Sequence, residues 1–188
     1  MRRICVYCGS NSGGHSKYRE ATIDLANVLV RNDYELVYGG ASKGTMGILA
    51  DAVLEQGGKV HGIIPKVLEG KEIAHRGLTE LHVVDSMHER KSMMAALADG
   101  FIALPGGFGT LEELIEVLTW GQLRIHDKPC GVINVHAYFD HLLAYLDHAE
   151  TEGLVRPENR QMLLCAKDAA GLIRQFQEYV APQVEKWF

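Results

Sequence analysis

The sequence predicts a single α/β domain in which helices cover both faces of a parallel sheet. Short apolar runs alternate with stretches of helical spacing along all 188 residues, and near-continuous apolar strands are typical of a sheet buried on both faces. Three glycine-rich loops each follow a predicted strand, as ligand-binding loops do in doubly wound sheets. Because the length fits one domain and no repeat, linker or low-complexity segment interrupts the pattern, we predict one Rossmann-like, doubly wound domain over residues 1–188.

The strands are predicted from short runs of aliphatic and aromatic residues. They cover residues 3–7, 35–38, 59–64, 80–84, 101–104 and 130–135. The helices are predicted from apolar residues that recur at intervals of three and four, such as Ile23, Ala26 and Val30 in the first helix. They cover residues 18–31, 46–56, 87–97, 111–124, 138–150 and 172–180. Residues 66–79 are polar and irregular, so we predict a long loop that can include a short helical turn; such loops are often functional.

Composition and charge exclude several classes of protein. The formal net charge is -5, whereas a general nucleic-acid binder usually has a basic face, so we predict no nucleic-acid partner. No stretch approaches the roughly 18 apolar residues of a membrane span, and the first apolar run is too short for a signal peptide. We therefore expect a cytoplasmic protein without membrane contact.

The cysteines and histidines show no metal-ligand pattern. Cys5 and Cys8 have the Cys-x-x-Cys spacing, but they lie along a predicted strand, whose alternation sends them to opposite faces. No second cysteine pair or nearby histidine completes a zinc set, and the nine histidines are scattered. We therefore interpret the cysteines as buried, reduced thiols and predict no metal.

The three glycine-rich loops, at residues 8–14, 39–47 and 105–110, follow predicted strands one, two and five. One such loop would be equally consistent with a tight turn, but three at the carboxyl edge of one sheet favour a nucleotide or sugar-phosphate pocket. The second loop lacks the Gly-Lys-Ser/Thr ending of a Walker A loop, and no Gly-x-Gly-x-x-Gly follows the first strand. An ATPase is therefore disfavoured, and NAD binding has little support.

The most informative segment is 105–113, PGGFGTLEE, in which a glycine turn joins a strand to a helix. Such a turn exposes backbone N–H groups, and the helix dipole favours negative charge there, so we expect a bound phosphate. Because like charges repel, a carboxylate beside a phosphate is unfavourable. Glu113 is therefore a candidate for a chemical role.

Helical geometry divides the residues that follow this turn into two faces. The predicted core face contains Leu111, Leu114, Ile115 and Leu118. Glu113, Glu116 and Trp120 lie opposite. We interpret Glu116 as solvent-exposed, and the same surface role is the alternative for Glu113.

A second cluster, MHERK at residues 87–91, begins the helix that follows strand four. Its adjacent cations, Arg90 and Lys91, oppose the helix dipole at a helix N-terminus, so we predict a partner anion. A surface pair of basic residues is the alternative. The planar guanidinium of arginine suits phosphate or vicinal hydroxyls.

The pairing of MHERK with PGGFGTLEE resembles the Lonely Guy (LOG) family of cytokinin riboside 5′-monophosphate phosphoribohydrolases, whose members are often labelled lysine decarboxylases. The resemblance extends to CGSNSG at 8–13, VYGG at 37–40, GTMG at 44–47, IP at 64–65 and LTW at 118–120. The short chain is similar to the dimeric branch of the family, which implies a homodimer. The segment KEIAH at 71–75 resembles bacterial members more than plant members.

The resemblance also implies roles for individual residues. Arg90 and Glu113 match the catalytic pair of the family. The residues that match substrate-binding positions are Glu72, Lys91, Gly106, Gly107, Gly109, Thr110 and Thr119. The match of Glu72 depends on a loop whose sequence varies.

The implied reaction is hydrolysis of the N-glycosidic bond of a nucleoside 5′-monophosphate to free base and ribose 5-phosphate, through an oxocarbenium-like transition state. Glu113 would stabilise the positive charge, activate the water, or both, and Arg90 would orient the sugar. The sequence identifies no proton donor for the departing base. No cofactor or metal is required, whereas a lysine decarboxylase would need pyridoxal phosphate on a lysine, and nothing around Lys43 or Lys91 suggests such a site.

Two other functions remain open at this point. One is an AMP nucleosidase of purine salvage without a hormone role, and the other is a non-catalytic nucleotide carrier on the same scaffold. A pure carrier would not need a carboxylate beside its phosphate, so Glu113 and Arg90 distinguish the enzyme from the carrier. A DNA-processing protein of this fold is disfavoured by the acidic charge balance.

Overall fold

A computed structural model describes residues 1–69 and 73–182, and within these ranges the sheet has seven strands. The strands are β1 (Arg3–Tyr7), β2 (Glu35–Tyr38), β3 (Val60–Pro65), β4 (Glu80–Val84), β5 (Gly100–Ala103), β6 (Cys130–Ile133) and β7 (Leu163–Ala166). All pairs are parallel, in the order β4-β3-β2-β1-β5-β6-β7. The strand order reverses between β1 and β5, and in doubly wound sheets ligands bind beside that switch point.

Helices connect the strands and cover the sheet. They are α1 (Ser16–Arg31), α2 (Gly44–Glu55), α3 (Lys66–Leu68), α4 (Met87–Leu97), α5 (Phe108–Gln122), α6 (Asp140–Thr151), α7 (Pro157–Arg160) and α8 (Ala169–Glu178). A short 3-10 helix, Val135–Ala137, follows β6. Among the described residues, no helix combines the length and the apolar character needed to cross a membrane.

The predicted fold class is confirmed, and all six predicted strands form within two residues of their expected bounds. The helix expected at 111–124 begins three residues earlier, because Phe108 and Gly109 already have helical geometry. The sequence prediction omits α7 and β7. β7 is a four-residue edge strand, three of whose residues are only half-buried, so it lacks the longer apolar run that identifies the central strands.

Two hydrophobic clusters hold the layers together, one on each face of the sheet. The first packs α1, α2 and α8 against the sheet, and the second packs α4, α5 and α6 against the opposite face. Cys8 lies in the first cluster and Cys5 in the second, as strand alternation predicts. Burial raises the pKa of Cys8 to about 12, so this thiol stays protonated and unreactive at neutral pH.

Glu35 joins the amino ends of the central strands through a network of ion pairs. The Nε of Arg3 donates to Glu35 Oε2 at 2.8 Å, and the Nε2 of His61 lies 2.9 Å from the same oxygen. Arg2 and Lys59 approach the other oxygen at 3.2 and 3.6 Å. The hydrogen bond from Arg3, together with these positive neighbours, outweighs burial and lowers the pKa of Glu35 to about 2.

We expect the Glu35→Gln variant to lose stability near neutral pH but not in strong acid. The folded-state pKa is about 2 and the ordinary value is 4.5, so the stabilisation is present above pH 4.5 and disappears as the pH falls toward 2. Urea unfolding from about pH 7 to about pH 3 should show the difference between wild type and variant shrinking on acidification. The exposed Glu20→Gln variant controls for charge. An equal difference at every pH would contradict the assignment.

Candidate active site

The glycine turn after β5 forms an open helix N-terminus, as the sequence predicts. Gly107 is the N-cap of α5 and, as a glycine, has no side chain that could accept a hydrogen bond from the first-turn N–H groups. A Cβ on Gly106 would lie 2.1 Å from Thr110 Oγ1, so glycine is needed there for Thr110 to tuck beneath the turn. A Cβ on Gly107 or Gly109 would meet nothing within 4 Å. These two glycines therefore leave open space beside N–H groups that an anion can accept.

A cavity of about 220 Å³ lies between this turn and the loop after β1. Its lining includes Ser10, Asn11, Gly106, Gly107 and Tyr138. It lies at the switch point between β1 and β5 and is smaller than the roughly 300–1,000 Å³ that encloses a drug-sized ligand. A phosphate with part of its sugar matches this size better than a whole nucleotide does.

Thr45 and Tyr138 hold the walls of the cavity in place. Neither residue was assigned a role from the sequence. Thr45 Oγ1 accepts from Gly9 N at 2.9 Å and donates to Gly9 O at 3.0 Å, which ties the start of α2 to the loop after β1. The hydroxyl of Tyr138 donates to Gly106 O at 2.5 Å. Thr45 is part of the GTMG segment of the resemblance, but Tyr138 lies outside every quoted motif, so no sequence signal identified it.

Arg90 and Glu113, the predicted catalytic pair, form a buried ion pair. Arg90 Nη1 donates to Glu113 Oε1 at 2.9 Å, and Arg90 Nε donates to Ile63 O at 3.1 Å. The two residues are only 8% and 7% exposed. The partner anion that the sequence predicts for Arg90 is therefore a carboxylate of the protein itself.

The other edge of this pair makes no hydrogen bond within the described ranges. Glu113 Oε2 and Arg90 Nη2 have no partner there, and no fully buried side-chain nitrogen or oxygen in these ranges lacks one. Both atoms therefore keep some exposure. Neither residue lines the 220 Å³ cavity; Glu113 lies one and a half turns into α5, which begins at the cavity wall.

Gly39 provides the space that the guanidinium occupies. A Cβ at this position would lie 1.9 Å from Arg90 Nη2 and 3.1 Å from Arg90 Cζ. No side chain larger than hydrogen is compatible with the observed position of Arg90. The second glycine loop therefore positions the arginine, in addition to any contact with a ligand.

We expect the Gly39→Ala variant to lose about 100-fold in turnover while remaining folded, because a displacement near 1 Å can cost that much. The added methyl group forces the guanidinium away from Glu113, and such overpacking typically costs about 1–3 kcal/mol of stability. Steady-state kinetics and thermal unfolding would measure both effects. Gly14→Ala is the matched control, since a Cβ there meets nothing within 4 Å. Near-wild-type turnover in Gly39→Ala would contradict this role.

Burial dominates the electrostatics of Glu113. Burial raises its pKa above the ordinary 4.5, although the charge and hydrogen bond of Arg90 oppose the shift. A carboxyl group with a raised pKa beside a cleft is typical of residues that exchange protons in catalysis. The pair can therefore stabilise developing positive charge and accept a proton.

The buried face of α5 differs from the predicted one. Its buried residues are Thr110, Glu113, Leu114, Val117 and Gly121. The placement of Ile115 in the core is wrong, because its side chain is 40% exposed. The surface alternative for Glu113 is wrong as well. Glu113 lies between two positions of the core face, one turn from Thr110 and Val117, and Arg90 compensates its charge there.

Lys91 contacts carboxylates rather than the cavity. Its Nζ donates to Glu112 and, at 3.0 Å, to Glu116, so Glu116 is a partner of Lys91 and not simply solvated. Burial opposes the charge of Lys91, but the two hydrogen bonds hold its pKa above the ordinary value. A Schiff-base lysine needs a lowered pKa, so these contacts argue against pyridoxal phosphate at Lys91. A substrate contact by Lys91 stays a prediction.

The last two predicted binding residues are Glu72 and Thr119. Glu72 lies outside the described residues. Thr119 is exposed and donates to Ile115 O at 2.7 Å. It lies eleven residues after Phe108. That is about 16 Å along α5 from the glycine turn after β5, where the phosphate is expected (the phosphate turn). Within one chain, Thr119 and this turn cannot contact the same sugar phosphate.

Comparison with known proteins identifies the family. The family described as "Possible lysine decarboxylase" matches residues 46–176. The cytokinin riboside 5′-monophosphate phosphoribohydrolase LOG3 of Arabidopsis thaliana is 49% identical over 179 residues, covering 95% of this chain and 83% of the relative. The chain belongs to the LOG family. The probable LOG enzyme LOGL9 of Oryza sativa subsp. japonica is also 49% identical, over 96% of this chain and 79% of its own.

Solved structures show that the LOG fold is shared more widely. The molybdenum cofactor binding protein of Rippkaea orientalis superposes with a TM-score of 0.71 at 18% identity, covering 94% of this chain and 96% of its own. At this level of identity the likeness concerns the fold alone. The range matched by the family described as "Possible lysine decarboxylase" contains residues 87–91 and 105–113, the two motifs that carry the predicted catalytic pair.

Proposed function

We propose that this LOG-family chain is a phosphoribohydrolase that cleaves the N-glycosidic bond of cytokinin riboside 5′-monophosphates to free base and ribose 5-phosphate. The names of relatives at 49% identity support this activity. The observation that carries the proposal is the buried Arg90–Glu113 pair. Glu113 lies one and a half turns into α5, the helix whose open N-terminus can hold a phosphate. A carrier of nucleotides would gain nothing from burying a carboxylate there, because desolvation makes it costly.

The phosphate end of the substrate would bind at the start of α5. The first-turn N–H groups, the open space at Gly107 and Gly109 and the helix dipole all favour a dianionic group. Burying the phosphate fixes the direction of the ribose, which then extends along α5 toward Glu113. Orientation of this kind supplies much of the rate enhancement in reactions of a single bound substrate.

The Arg90–Glu113 pair would act on the ribose. Arg90 Nη2 has no partner in the described part of the chain and can donate to a ribose hydroxyl, and Glu113 Oε2 would face C1′. As the C1′–N bond breaks, its electron pair leaves with the base, and the Glu113 carboxylate stabilises the positive charge on the sugar. Water adds to C1′ and gives a proton to Glu113, which then releases it to solvent, and the departing base takes up a proton from solvent.

Product analysis by liquid chromatography tests the activity. AMP and isopentenyladenosine 5′-monophosphate are incubated separately with pure protein. Release of free base and ribose 5-phosphate from the isopentenylated substrate is the expected result. A higher rate with AMP would instead favour an AMP nucleosidase of purine salvage. Binding of either nucleotide without release would overturn the hydrolase and favour the carrier.

We also propose that the LOG chain acts as a homodimer that pairs through α5. Residues three and four apart on a helix share one side. On this helix the exposed stripe contains Phe108, Glu112, Ile115, Thr119 and Gln122. Phe108 is 94% exposed, and exposed apolar side chains beside polar ones are typical of contact surfaces. In an antiparallel α5 pair centred near Ile115, Thr119 of each copy would approach the phosphate turn of the other, which reconciles its predicted role with its position.

We expect the Ile115→Glu variant to be monomeric and to lose most turnover, because the substitution places charge at the centre of the α5 pair. Light scattering after size-exclusion chromatography measures the mass of wild type and variant. Leu154→Glu is the matched control, since Leu154 is equally apolar and 83% exposed but lies away from α5. A wild-type mass in Ile115→Glu would exclude this pairing. Cytoplasmic location and the absence of a nucleic-acid partner stay predictions from the sequence.

A further inference from the structure

His61, Glu80 and His82 form a compact cluster at the amino ends of β3 and β4, far from the cavity at the carboxyl ends. His61 lies directly opposite Glu80 in the register of the two strands, and His82 follows Glu80 on the same face. His61 Nδ1 lies 3.1 Å from Glu80 Oε2, and His82 Nε2 lies 3.3 Å from the same oxygen. All three donor atoms lie within 4.8 Å of one another.

The buried imidazole of His61 lies between two carboxylates. Its Nε2 faces Glu35 Oε2 at 2.9 Å, and its Nδ1 faces Glu80 Oε2. Arg3 also donates to Glu35 Oε2, at 2.8 Å. When the ring donates its Nε2–H to Glu35, the lone pair of Nδ1 lies beside Glu80 Oε2, and a metal ion between these two atoms would bind both.

We propose that His61 Nδ1, Glu80 Oε2 and His82 Nε2 bind a divalent transition metal ion of the zinc type. Zinc binds histidine nitrogen and carboxylate oxygen at about 2.0–2.2 Å, so two ligand atoms at tetrahedral positions lie about 3.4 Å apart. The observed separations of 3.1 and 3.3 Å agree with that geometry. Two histidines and one glutamate are a ligand set that zinc uses in sites with a fourth, open position.

The surroundings of the cluster provide the outer support that metal sites need. Metal-bound histidines usually donate their second N–H to a carboxylate, which fixes the ring and its tautomer. Glu35 accepts that bond from His61, and Arg3 in turn holds Glu35 at 2.8 Å. Access is available from one side, because the side chains of Glu80 and His82 are 55% and 37% exposed.

Metal binding here would stabilise the edge of the sheet. β4 is the outermost strand on its side, and the His61–Glu80 contact is a side-chain link from β4 to β3 on this face. A metal ion replaces that single contact with three bonds to two strands. The site would therefore raise the stability of the protein, and none of its three ligand residues lines the cavity beside α5.

Zinc titration of the full chain, purified without a histidine tag and treated with chelator, tests the site. We expect one Zn²⁺ per chain in competition with a chromophoric chelator, a Co²⁺ spectrum typical of tetrahedral coordination and a rise in melting temperature with Zn²⁺. Loss of an outer-shell partner costs about 10–100-fold in metal affinity, so His82→Ala and Glu80→Gln should each lose at least about 100-fold. His141→Ala, an exposed histidine on α6, should bind as wild type does.

Two results would overturn the proposal. Zinc affinity that is unchanged in both His82→Ala and Glu80→Gln would place any bound ion on other histidines. Absence of stoichiometric binding to wild type would mean that hydrogen bonds alone hold the cluster together. Because His82 and Glu80 are partly exposed, both variants should fold, and circular dichroism would check that they do. Nucleotide hydrolysis is not a readout here, so the outcome is independent of the proposed activity.

Discussion

Replacement of Glu113 by glutamine should lower kcat by at least about 1,000-fold and leave nucleotide binding largely intact. The amide keeps the size of the side chain and can still accept from Arg90, but it neither stabilises an oxocarbenium ion nor takes a proton from water. Loss of a catalytic acid–base group costs about 10²–10⁴-fold, and loss of electrostatic stabilisation adds to it. Glu113→Ala should lose turnover in the same way.

Single-turnover kinetics and equilibrium nucleotide binding separate the two effects. Glu116→Gln is the matched control, because Glu116 lies on the same helix, also pairs with a cation and leaves Lys91 its bond to Glu112. We expect only a small change in that variant, because Lys91 keeps Glu112 as a carboxylate partner. Turnover that survives in Glu113→Gln would remove Glu113 from the chemistry and with it the main support for the hydrolase.

The pH dependence of wild-type turnover follows from the position of Glu113. Its pKa is raised by burial above 4.5. If the ionised carboxylate stabilises the sugar cation, kcat should fall on acidification with a midpoint above 4.5, since protonation removes the charge. Initial rates at saturating substrate, measured across this range, give the midpoint. A midpoint at or below 4.5 would contradict the assignment of Glu113 as the ionised group.

The central strands of the fold could be predicted from the sequence because burial on both faces makes them continuously apolar. The edge strands illustrate the limit. β4 is mostly half-exposed, but clear polar segments bound it, so it could be predicted. β7 is mostly half-buried and follows a polar stretch with a four-residue helix, so it was missed. An edge strand pairs with only one neighbouring strand and buries less side-chain area than a central strand does. Its sequence therefore shows a weaker apolar pattern.

The candidate active site shows a different limit. Helical spacing placed Glu113 opposite the leucines, and a charged residue on such a face is normally solvated. Its burial becomes clear only when α4 brings Arg90 against it, and this contact joins residues 23 positions apart in the chain. The role of Gly39 could not be predicted either. This glycine makes room for Arg90 Nη2, an atom of a residue far along the chain. The His61–Glu80 contact likewise depends on strand register, which no residue spacing reveals.

Replacement of Arg90 by alanine should lower turnover by about 1,000-fold and also weaken nucleotide binding, which distinguishes it from Glu113→Gln. The guanidinium orients the sugar, and loss of a charged hydrogen bond costs about 1.5–3 kcal/mol, or tenfold or more in affinity. Breaking a buried ion pair from one side typically costs about 3–5 kcal/mol of stability. Arg90→Lys, which keeps the charge but loses the Nε bond to Ile63 O, therefore accompanies the alanine variant as a folded alternative.

The fall of kcat on acidification tests the role of Arg90. If Arg90 only supported the structure, its replacement would not shift the midpoint of that fall. The charge and hydrogen bond of Arg90 lower the pKa of Glu113 against the effect of burial. Removing Arg90 should therefore shift the midpoint of residual turnover to higher pH, while Arg90→Lys should shift it less. The double variant Arg90→Ala/Glu113→Gln should be scarcely slower than either single variant, because residues that act as one unit are strongly non-additive. Fully additive losses would mean that the two side chains act on the substrate independently, despite the 2.9 Å bond between them.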